Sequence, residues 1–244
     1  MAVRDDVVII TGANRGIGLG LARALDALGR RVAGFDLEVD NLSGIEAFVC
    51  DITDAGQVEE AVARVVEKWG RIDVLVNNAC VAIFSPFEER DLETIRREFE
   101  VNYFGHLNTI RAVLPYMKAQ GGGVIHNVSS TVGFSGFPGL SGYASTKGAL
   151  EALSRTLTVE LEPYGITVNV IHPPLTRTTS SAPLGVPDRV MADPEVVGRK
   201  LAPKIGSRRP VVTPGWVESA GVLMARWFPG GMGRLLGRAA GKIR

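Results

Sequence analysis

Short runs rich in valine and isoleucine recur along the chain, and longer stretches with helical spacing separate them. Near-continuous apolarity is typical of strands that are buried on both faces, as in parallel sheets. The alternation predicts an α/β fold over residues 1–244: a single doubly wound Rossmann-type domain, with a parallel sheet of about seven strands and helices on both faces. The predicted strands are Val7–Thr11, Val32–Asp36, Ala47–Cys50, Ile72–Asn77, Val124–Ser129, Ile166–Ile171 and Pro210–Thr213.

The longest irregular stretch is Pro173–Asp193, which holds four of the thirteen prolines. Long loops inside compact domains are usually functional, so we expect a substrate-loop region at residues 174–205. The predicted helices are Ile17–Leu28, Val58–Trp69 with Thr53 as its cap, Leu92–Met117 as one long or broken region, and Tyr143–Leu161.

Charge and cysteine content narrow the functional classes. The chain has 27 basic and 26 acidic residues, so it lacks the basic field that binds nucleic acid, and no nucleic-acid partner is expected. Two cysteines, Cys50 and Cys80, do not make a disulfide framework and favour a reducing compartment. The N-terminus lacks a signal-peptide pattern, and no apolar run approaches the ~18–20 residues of a spanning helix. We expect a cytoplasmic protein without a metal site.

A glycine-rich turn follows the first predicted strand. Residues 11–18 read Thr-Gly-Ala-Asn-Arg-Gly-Ile-Gly, and a helix follows them. Glycine lets backbone approach a pyrophosphate, and a helix N-terminus offers free N–H groups and a positive dipole end. Such spacing also arises by chance among 29 glycines, but the position between strand and helix favours a dinucleotide site.

Two acidic residues end the next strands. Asp36 is placed to hydrogen-bond the adenosine ribose hydroxyls and to repel the 2′-phosphate of NADP; a surface aspartate that caps a turn is the alternative. Arg15, in the glycine loop, could instead hold that phosphate. Asp51 either contacts the adenine amino group or helps to cap the next helix. The balance predicts NAD as the cofactor, with NADP as the alternative.

Tyr143 and Lys147 stand four residues apart in a predicted helix and therefore project from one face. A nearby ammonium favours phenolate and lowers the phenol pKa toward the range that general acid–base catalysis needs; an exposed helical pair is the alternative. Ser130 follows the fifth strand, where a hydroxyl faces the ligand crevice of an open sheet. Asn102 lies inside a helical pattern, where asparagine is unfavourable, so it either has a special role or back-bonds locally.

In order, these motifs resemble the classical short-chain dehydrogenases/reductases over roughly residues 7–213. The resemblance implies a nicotinamide-dependent oxidoreductase that passes a hydride to or from an alcohol or carbonyl carbon of a small molecule, assembled as a homodimer or homotetramer. The matching motifs are Thr11-Gly12-xxx-Gly16-x-Gly18, Asp51, Asn77-Asn78-Ala79, Asn102, Ser130, Tyr143-xxx-Lys147 and Pro173-x-x-x-x-Thr178.

The resemblance also implies roles. Tyr143 would be the general acid/base, and Lys147 would bind the nicotinamide ribose and lower the Tyr143 pKa. Ser130 would orient and polarise the carbonyl, and Asn102 would position a water that relays protons from Lys147. Thr176 and Thr178 would meet the carboxamide and phosphates. The implied cofactor-binding residues are Gly12, Asn14, Arg15, Gly16, Ile17, Gly18, Asp36, Asp51, Ile52, Asn78, Ala79, Tyr143, Lys147, Pro173, Thr176 and Thr178.

Two positions depart from the family's pattern. Cys80 stands where the family usually has glycine after Asn-Asn-Ala, and Pro174 stands where it usually has glycine after Pro173. Proline fixes φ and removes an N–H, so we expect the nicotinamide-facing turn to differ. The alternative function is a redox-sensing or regulatory protein that binds the cofactor on the same fold, although such proteins typically lose the tyrosine or lysine.

The segments expected to line the substrate pocket are apolar, which is usual for small-molecule sites and predicts a lipophilic alcohol or ketone. The alternative is that several of these side chains pack as ordinary core. The residues are Ile83, Phe84, Phe87, Phe134, Phe137, Leu140, Leu184, Val186 and Met191.

The C-terminal tail, residues 215–244, mixes apolar and basic side chains and has no acidic residue after Glu218. Pro229-Gly230-Gly231 predicts a break between two short helices. One hypothesis is a peripheral membrane contact through this basic, apolar tail. The other is that its apolar face folds back over the substrate pocket or a partner subunit.

Overall fold

The computed structural model describes residues 5–184, 186–231, 233 and 234. They form a seven-stranded sheet in the order β3-β2-β1-β4-β5-β6-β7, with every neighbouring pair parallel, so the predicted fold class is confirmed. The strands are β1 Val7–Thr11, β2 Arg31–Asp36, β3 Glu46–Val49, β4 Val74–Asn77, β5 Gly123–Val128, β6 Ile166–Ile171 and β7 Val211–Val212.

The predicted helices are present, with shifted ends. The region predicted as one long or broken helix is two helices joined by a π-helical turn, Glu100–Phe104. The helices are α1 Gly16–Asp26, α2 Ala55–Trp69, α3 Leu92–Phe99, α4 Gly105–Ala119, α5 Val132–Ser135, α6 Ser141–Leu161, α7 Pro194–Leu201 and α8 Trp216–Trp227.

The predicted cap of α2 is wrong. Asp54, not Thr53, caps this helix, because its carboxylate accepts from the backbone N–H groups of Gly56 and Gln57. The Thr53 hydroxyl instead donates to Asp51 Oδ1 at 2.8 Å, inside the preceding turn. An aspartate one residue later reaches the free amides of the first helical turn, as N-caps do.

Both faces of the sheet are covered, which explains the continuous apolar runs. In β1, Val7 and Ile9 point into a core shared with α2, α4 and α6, whereas Val8 and Ile10 point into a core shared with α1 and α7. Successive side chains of a strand alternate between faces, so a strand between two helical layers needs apolar residues at every position. None of the helices in the described residues is long and apolar enough to cross a bilayer.

The position of β1 fixes where a ligand can bind. β1 pairs with β2 on one side and with β4 on the other, so the strand order reverses between β1 and β4. Crossovers from these two strands leave in opposite directions, and a crevice opens beyond their carboxyl ends. The glycine-rich turn follows directly from β1 and therefore forms the floor of that crevice.

Candidate active site

A cavity of about 1340 Å³ runs along the carboxyl ends of the central strands. It brings together most of the residues that the sequence predicted for the site. Those in its lining are Gly12, Arg15, Gly16, Ile17, Asp36, Asp51, Ile52, Asn78, Ala79, Ser130, Tyr143, Lys147, Pro173, Thr176 and Thr178. Three predicted residues, Asn14, Gly18 and Asn102, are not part of this lining.

The glycine turn leaves no room for side chains. A Cβ on Gly12, which has φ +64°, would lie 2.7 Å from the Cα of Ala79. A Cβ on Gly18 would collide with the carbonyl oxygen of Gly12. In the described chain, α1 has neither a side-chain cap at Arg15 nor an acidic residue in its first turn. Its free N–H groups and dipole therefore face the cavity, which fits the pyrophosphate of a dinucleotide.

Asp36 is held by backbone at the edge of this turn. Its two carboxylate oxygens accept from the amides of Asn14 and Leu37, each at 2.8 Å. A carboxylate oxygen has a second lone pair, so both oxygens can still accept from ribose hydroxyls. Arg15 lies 4.0 Å from the Glu38 carboxylate, and both side chains are more than half exposed. The cation of the glycine loop therefore has an acidic neighbour.

Asn14 and Asp51 organise the adjoining loops. The Asn14 side chain accepts from the Asn41 amide at 2.8 Å and ties the loop after β2 to the glycine turn. Asp51 lines the cavity, and its Oδ1 accepts from the Thr53 amide at 2.9 Å. Asp51 thus shapes the turn before α2, whereas Asp54 caps the helix.

Tyr143 and Lys147 lie one turn apart on α6, at the cavity wall. Lys147 is fully buried; its Nζ lies 5.4 Å from the centre of the Tyr143 ring and donates to the Val128 carbonyl at 2.7 Å. Burial raises the pKa of Tyr143 above its ordinary value, and the charges of Cys80 and Glu98 add to this, whereas a hydrogen bond with Ser130 lowers it. Burial lowers the pKa of Lys147.

Asn102 lies in the π-helical turn between α3 and α4 and is completely buried. Its side chain accepts from the Val81 amide and donates to the Val81 carbonyl, both at 2.8 Å, and also donates to Thr146 Oγ1 at 3.2 Å. The alternative of local back-bonding is therefore wrong, because the partner is 21 residues away. Asn102 fixes the segment that follows β4 against α6.

The two departures from the family's pattern lie on this same cavity. Cys80 is half-buried in the lining. Its charge raises the pKa of Tyr143 and also that of Lys147. Pro173 and Pro174 also line the cavity, and the Pro174 carbonyl accepts from Thr176 Oγ1 at 2.8 Å. Neither proline has a backbone N–H to donate. The Thr176 hydroxyl therefore supplies the hydrogen bond that closes this turn.

A family profile described as short chain dehydrogenase matches residues 6–186. The chain belongs to the classical short-chain dehydrogenase/reductase family. The chain is 35% identical over 199 residues to trans-4-hydroxycyclohexanecarboxylate dehydrogenase of Sinomonas cyclohexanicum, and the match covers 75% of this chain and 76% of that protein. It is an oxidoreductase that transfers a hydride between a nicotinamide dinucleotide and a small-molecule substrate.

Solved structures agree with this assignment. A short-chain dehydrogenase from Streptomyces avermitilis superposes with a TM-score of 0.79 at 29% identity, over 90% of this chain and 92% of that one. A 3-ketoacyl-(acyl-carrier-protein) reductase from Brucella melitensis, complexed with NADH, superposes with a TM-score of 0.76 at 27% identity, over 88% and 99%.

The predicted apolar pocket is formed only in part. Four of the nine predicted residues do not line the cavity: Ile83, Phe87, Phe134 and Met191. Phe87 is 71% exposed, and Phe134 packs on the His172 ring instead. The five that do line it are Phe84, Phe137, Leu140, Leu184 and Val186, and Val81, Ala82, Leu175, Pro187 and Val190 join them. The cavity also has a polar rim on and beside α3, formed by Asp91, Glu93, Thr94, Arg97 and Glu100.

Sequence reasoning missed a buried ion pair beside the catalytic segment. Arg90 and Glu98 pair with each other, and both side chains are fully buried. Glu98 Oε1 also accepts from the Ile83 amide at 2.8 Å. Burial raises the pKa of Glu98, more than the Ile83 amide and Arg90 lower it. The pair anchors the cavity segment after β4, and no local spacing pattern marks it in the sequence.

A second missed cluster lies farther along the same face of α6 as Tyr143 and Lys147. Glu151, one turn after Lys147, lies 2.8 Å from His172 Nε2 and accepts from Arg226 Nη2 at 2.9 Å. Burial raises the pKa of Glu151, but the hydrogen bond and charge of His172 and the charge of Arg226 outweigh it, so the pKa lies below its ordinary value. The i, i+4, i+8 spacing from Tyr143 puts Glu151 on the catalytic face, and this signal could have revealed it.

Proposed function

We propose that this oxidoreductase interconverts a secondary alcohol and a ketone, with Tyr143 as the general acid/base. The observation that carries the proposal is the convergence of Tyr143, Lys147 and Ser130 on the same cavity that holds the glycine turn. Reacting groups that share a cavity with the dinucleotide cradle gain proximity and orientation, which lower the barrier of a two-substrate reaction. The nicotinamide supplies the hydride chemistry.

The side chains divide the proton and charge work. Tyr143 gives its Oη proton to the carbonyl oxygen in reduction and takes it back in oxidation. Ser130 donates to the same oxygen and holds the carbonyl in place. Lys147 keeps a positive charge beside the phenol, so that it favours phenolate and opposes the effect of burial on the Tyr143 pKa. Its contact with the Val128 carbonyl at 2.7 Å supports this role, because it fixes the ammonium at the cavity wall.

NAD(H) is the preferred cofactor in this proposal. Asp36 is the supporting residue, because backbone amides fix its carboxylate at the ribose end of the cavity and a fixed negative charge repels the 2′-phosphate of NADP. Arg15 would have to favour that phosphate against both Asp36 and the nearby Glu38. We therefore expect the Asp36 carboxylate to determine the cofactor preference more strongly than Arg15 does.

The substrate is a lipophilic alcohol or ketone. The ten apolar residues named above line the cavity beyond the catalytic groups, and five of them come from the substrate-loop region, residues 174–205. The polar rim on and beside α3 gives such a substrate room for one polar end. We also propose that the enzyme is cytoplasmic. It assembles as a homodimer or homotetramer in this proposal, and sedimentation equilibrium measures the number of subunits directly.

The experiment is a screen of chemically diverse ketones in which the oxidation of NADH measures turnover. The same screen is then repeated with NADPH. We expect turnover of apolar ketones with NADH, and kcat/KM values that favour NADH over NADPH. Turnover of only sugars or polyols would refute the proposed substrate class. Tight binding of the dinucleotide without turnover of any ketone or alcohol would favour the redox-sensing alternative.

A further inference from the structure

The outward face of α8 is apolar. The exposed fractions are 82% for Trp216, 59% for Val217 and for Leu223, 56% for Met224 and 74% for Trp227. With the exposed Ala220 they occupy positions i, i+1, i+4, i+7, i+8 and i+11, which form one stripe along a helix. An ordinary surface helix turns such a stripe toward the core, so this helix has the opposite orientation.

Contacts with the catalytic domain hold α8 in this orientation. Its buried residues are two small ones, Val222 and Ala225. Arg226 donates to Glu151 at 2.9 Å, and its guanidinium lies 5.6 Å from the centre of the Phe134 ring. None of the described residues of the C-terminal tail lines the cavity. The hypothesis that the apolar face folds back over the pocket is therefore wrong for the described part of the tail.

The stripe is too large for an ordinary exposed surface. Phe228, which is 68% exposed, extends it beyond the helix end. Aromatic side chains bury roughly 150–250 Å² each, and the largest apolar patch of a typical monomer is about 300–600 Å². Three exposed aromatic residues and three exposed aliphatic ones reach or exceed that limit. A patch of this size marks a contact surface.

The charge of the tail selects the partner. Residues 219–244 include no acidic side chain, and their basic residues are Arg226, Arg234, Arg238, Lys242 and Arg244. A second copy docked on the same face by a two-fold axis would place two basic tails at one interface, and their like charges would repel each other. An anionic surface would attract them.

We propose that the outward face of α8 docks on a bilayer surface that contains anionic lipids. The helix lies flat in this arrangement, because its twelve residues are too few to span a bilayer. Tryptophan is favoured at the boundary between headgroups and acyl chains, and Trp216 and Trp227 stand at the two ends of the stripe. The basic residues of the tail, among which Arg234 is exposed, add electrostatic attraction to the anionic headgroups.

The experiment is flotation of the full-length enzyme with two kinds of vesicles, phosphatidylcholine alone and phosphatidylcholine with about 30% phosphatidylserine. We expect flotation with the anionic vesicles at low salt and a loss of it at high salt. Leu223→Ser with Trp227→Ser should weaken binding at least about tenfold, since two exposed apolar anchors are removed. Arg234→Glu should weaken binding to anionic vesicles about fivefold or more, and should leave binding to phosphatidylcholine unchanged.

Val159→Ser is the matched control, because Val159 is 71% exposed on α6, outside the stripe. It should float like the wild type, and all variants should keep wild-type turnover of a soluble ketone, which separates this proposal from the catalytic one. Absence of flotation at low salt, or equal flotation of the double variant, would overturn the proposal. A dimer that the double variant breaks, together with no flotation, would assign the face to a second copy.

Discussion

The dinucleotide side of the cavity and its substrate side are built by different means. On the dinucleotide side, Gly12 and Gly18 have no space for a Cβ, and backbone amides hold the Asp36 carboxylate. On the substrate side, residues 174–205 contain short turns such as Ala182–Leu184, and Ser181 binds mainly its own loop. Backbone constraints allow few alternatives, whereas side chains on short turns can change one at a time. The first side therefore suits a constant cofactor and the second a variable substrate.

Tyr143 lies where the two sides meet, and its loss should have the largest effect. Tyr143→Phe removes the proton-transferring hydroxyl and leaves the ring, so we expect kcat to fall by about 10²–10⁴-fold while the dissociation constant of NADH stays unchanged. Tyr164→Phe is the matched control, because Tyr164 is 46% exposed and lies outside the cavity. Wild-type kcat in Tyr143→Phe would exclude the assigned role.

Gly18→Ala tests the rigidity of the dinucleotide side. The new methyl group would collide with the Gly12 carbonyl, so we expect a loss of about 1–3 kcal/mol in the free energy of unfolding and weaker binding of NADH. Gly221→Ala in α8 is the control, because a Cβ there meets nothing within 4 Å. It should be neutral or stabilise by about 0.5–1 kcal/mol. Chemical denaturation and NADH fluorescence measure both; equal behaviour of the two variants would contradict the rigid cradle.

Asp36→Ala tests how the dinucleotide side of the cavity distinguishes NADH from NADPH. Removal of the carboxylate deletes hydrogen bonds to ribose and relieves repulsion of a 2′-phosphate. We expect the preference for NADH over NADPH, measured as a ratio of kcat/KM values, to fall by roughly 10–100-fold, as for charged hydrogen bonds of ~1.5–3 kcal/mol. Asp40→Ala, an exposed carboxylate in the following loop, should leave the ratio unchanged. A wild type that already prefers NADPH would show that Arg15 dominates.

Arg226→Met tests the support behind the substrate side. Arg226 and Arg155 both approach Glu151, at 2.9 and 3.5 Å, but only Arg226 links α8 to it, so Arg155→Met is the control. We expect Arg226→Met to cost about 1–2 kcal/mol at pH 7 and the control less than ~0.5 kcal/mol.

The pH dependence follows from the Glu151 pKa, which lies below its ordinary value of 4.5 in the folded protein. Such a carboxylate stabilises the fold fully above its unfolded pKa, and the contribution disappears as the pH falls through the folded pKa. The stability difference between Arg226→Met and wild type should therefore shrink below about pH 4.5. A difference that is constant from pH 7 to pH 3 would show that the pair contributes through packing alone.

Cys80→Ala should have the smallest effect. The charge of Cys80 raises the pKa of Tyr143, so its removal should move the basic limb of the pH–rate profile to lower pH, by less than about one unit. The variant leaves a methyl group where the family usually has glycine. A shift to higher pH would contradict the assigned influence of the thiol.

Local patterns predicted most of the fold and of the catalytic group. The runs of valine and isoleucine located all seven strands, and the spacing of Tyr143 and Lys147 placed both on one helical face. Contacts between distant segments could not be predicted. Asn102 binds Val81 and Glu98 binds Ile83 because the chain returns there in three dimensions, and no periodicity records this.

The direction of α8 is a second limit. A helical stripe in the sequence says which residues share a face, but it does not say whether the core or the outside receives that face. Arg226 decides the matter through Glu151, 75 residues away in the chain. The helix ends at Trp227, and only Phe228 interrupts it, so the break precedes the predicted Pro229-Gly230-Gly231, which are themselves helical. Met232 and residues 235–244 of the tail lie outside the described residues.

The central place of β1 constrains how the chain can be made. One edge of β1 pairs with β2, where Val8 lies opposite Val32, 24 residues later. The other edge pairs with β4, where Val8 lies opposite Val74, 66 residues later. A nascent chain leaving the ribosome therefore carries an apolar strand with one open edge until β4 emerges, and such edges are sites of aggregation. Pairings over long sequence separations also form slowly. Substitutions in β4 should thus reduce the soluble yield in cells, and dependence on chaperones should begin with the first third of translation.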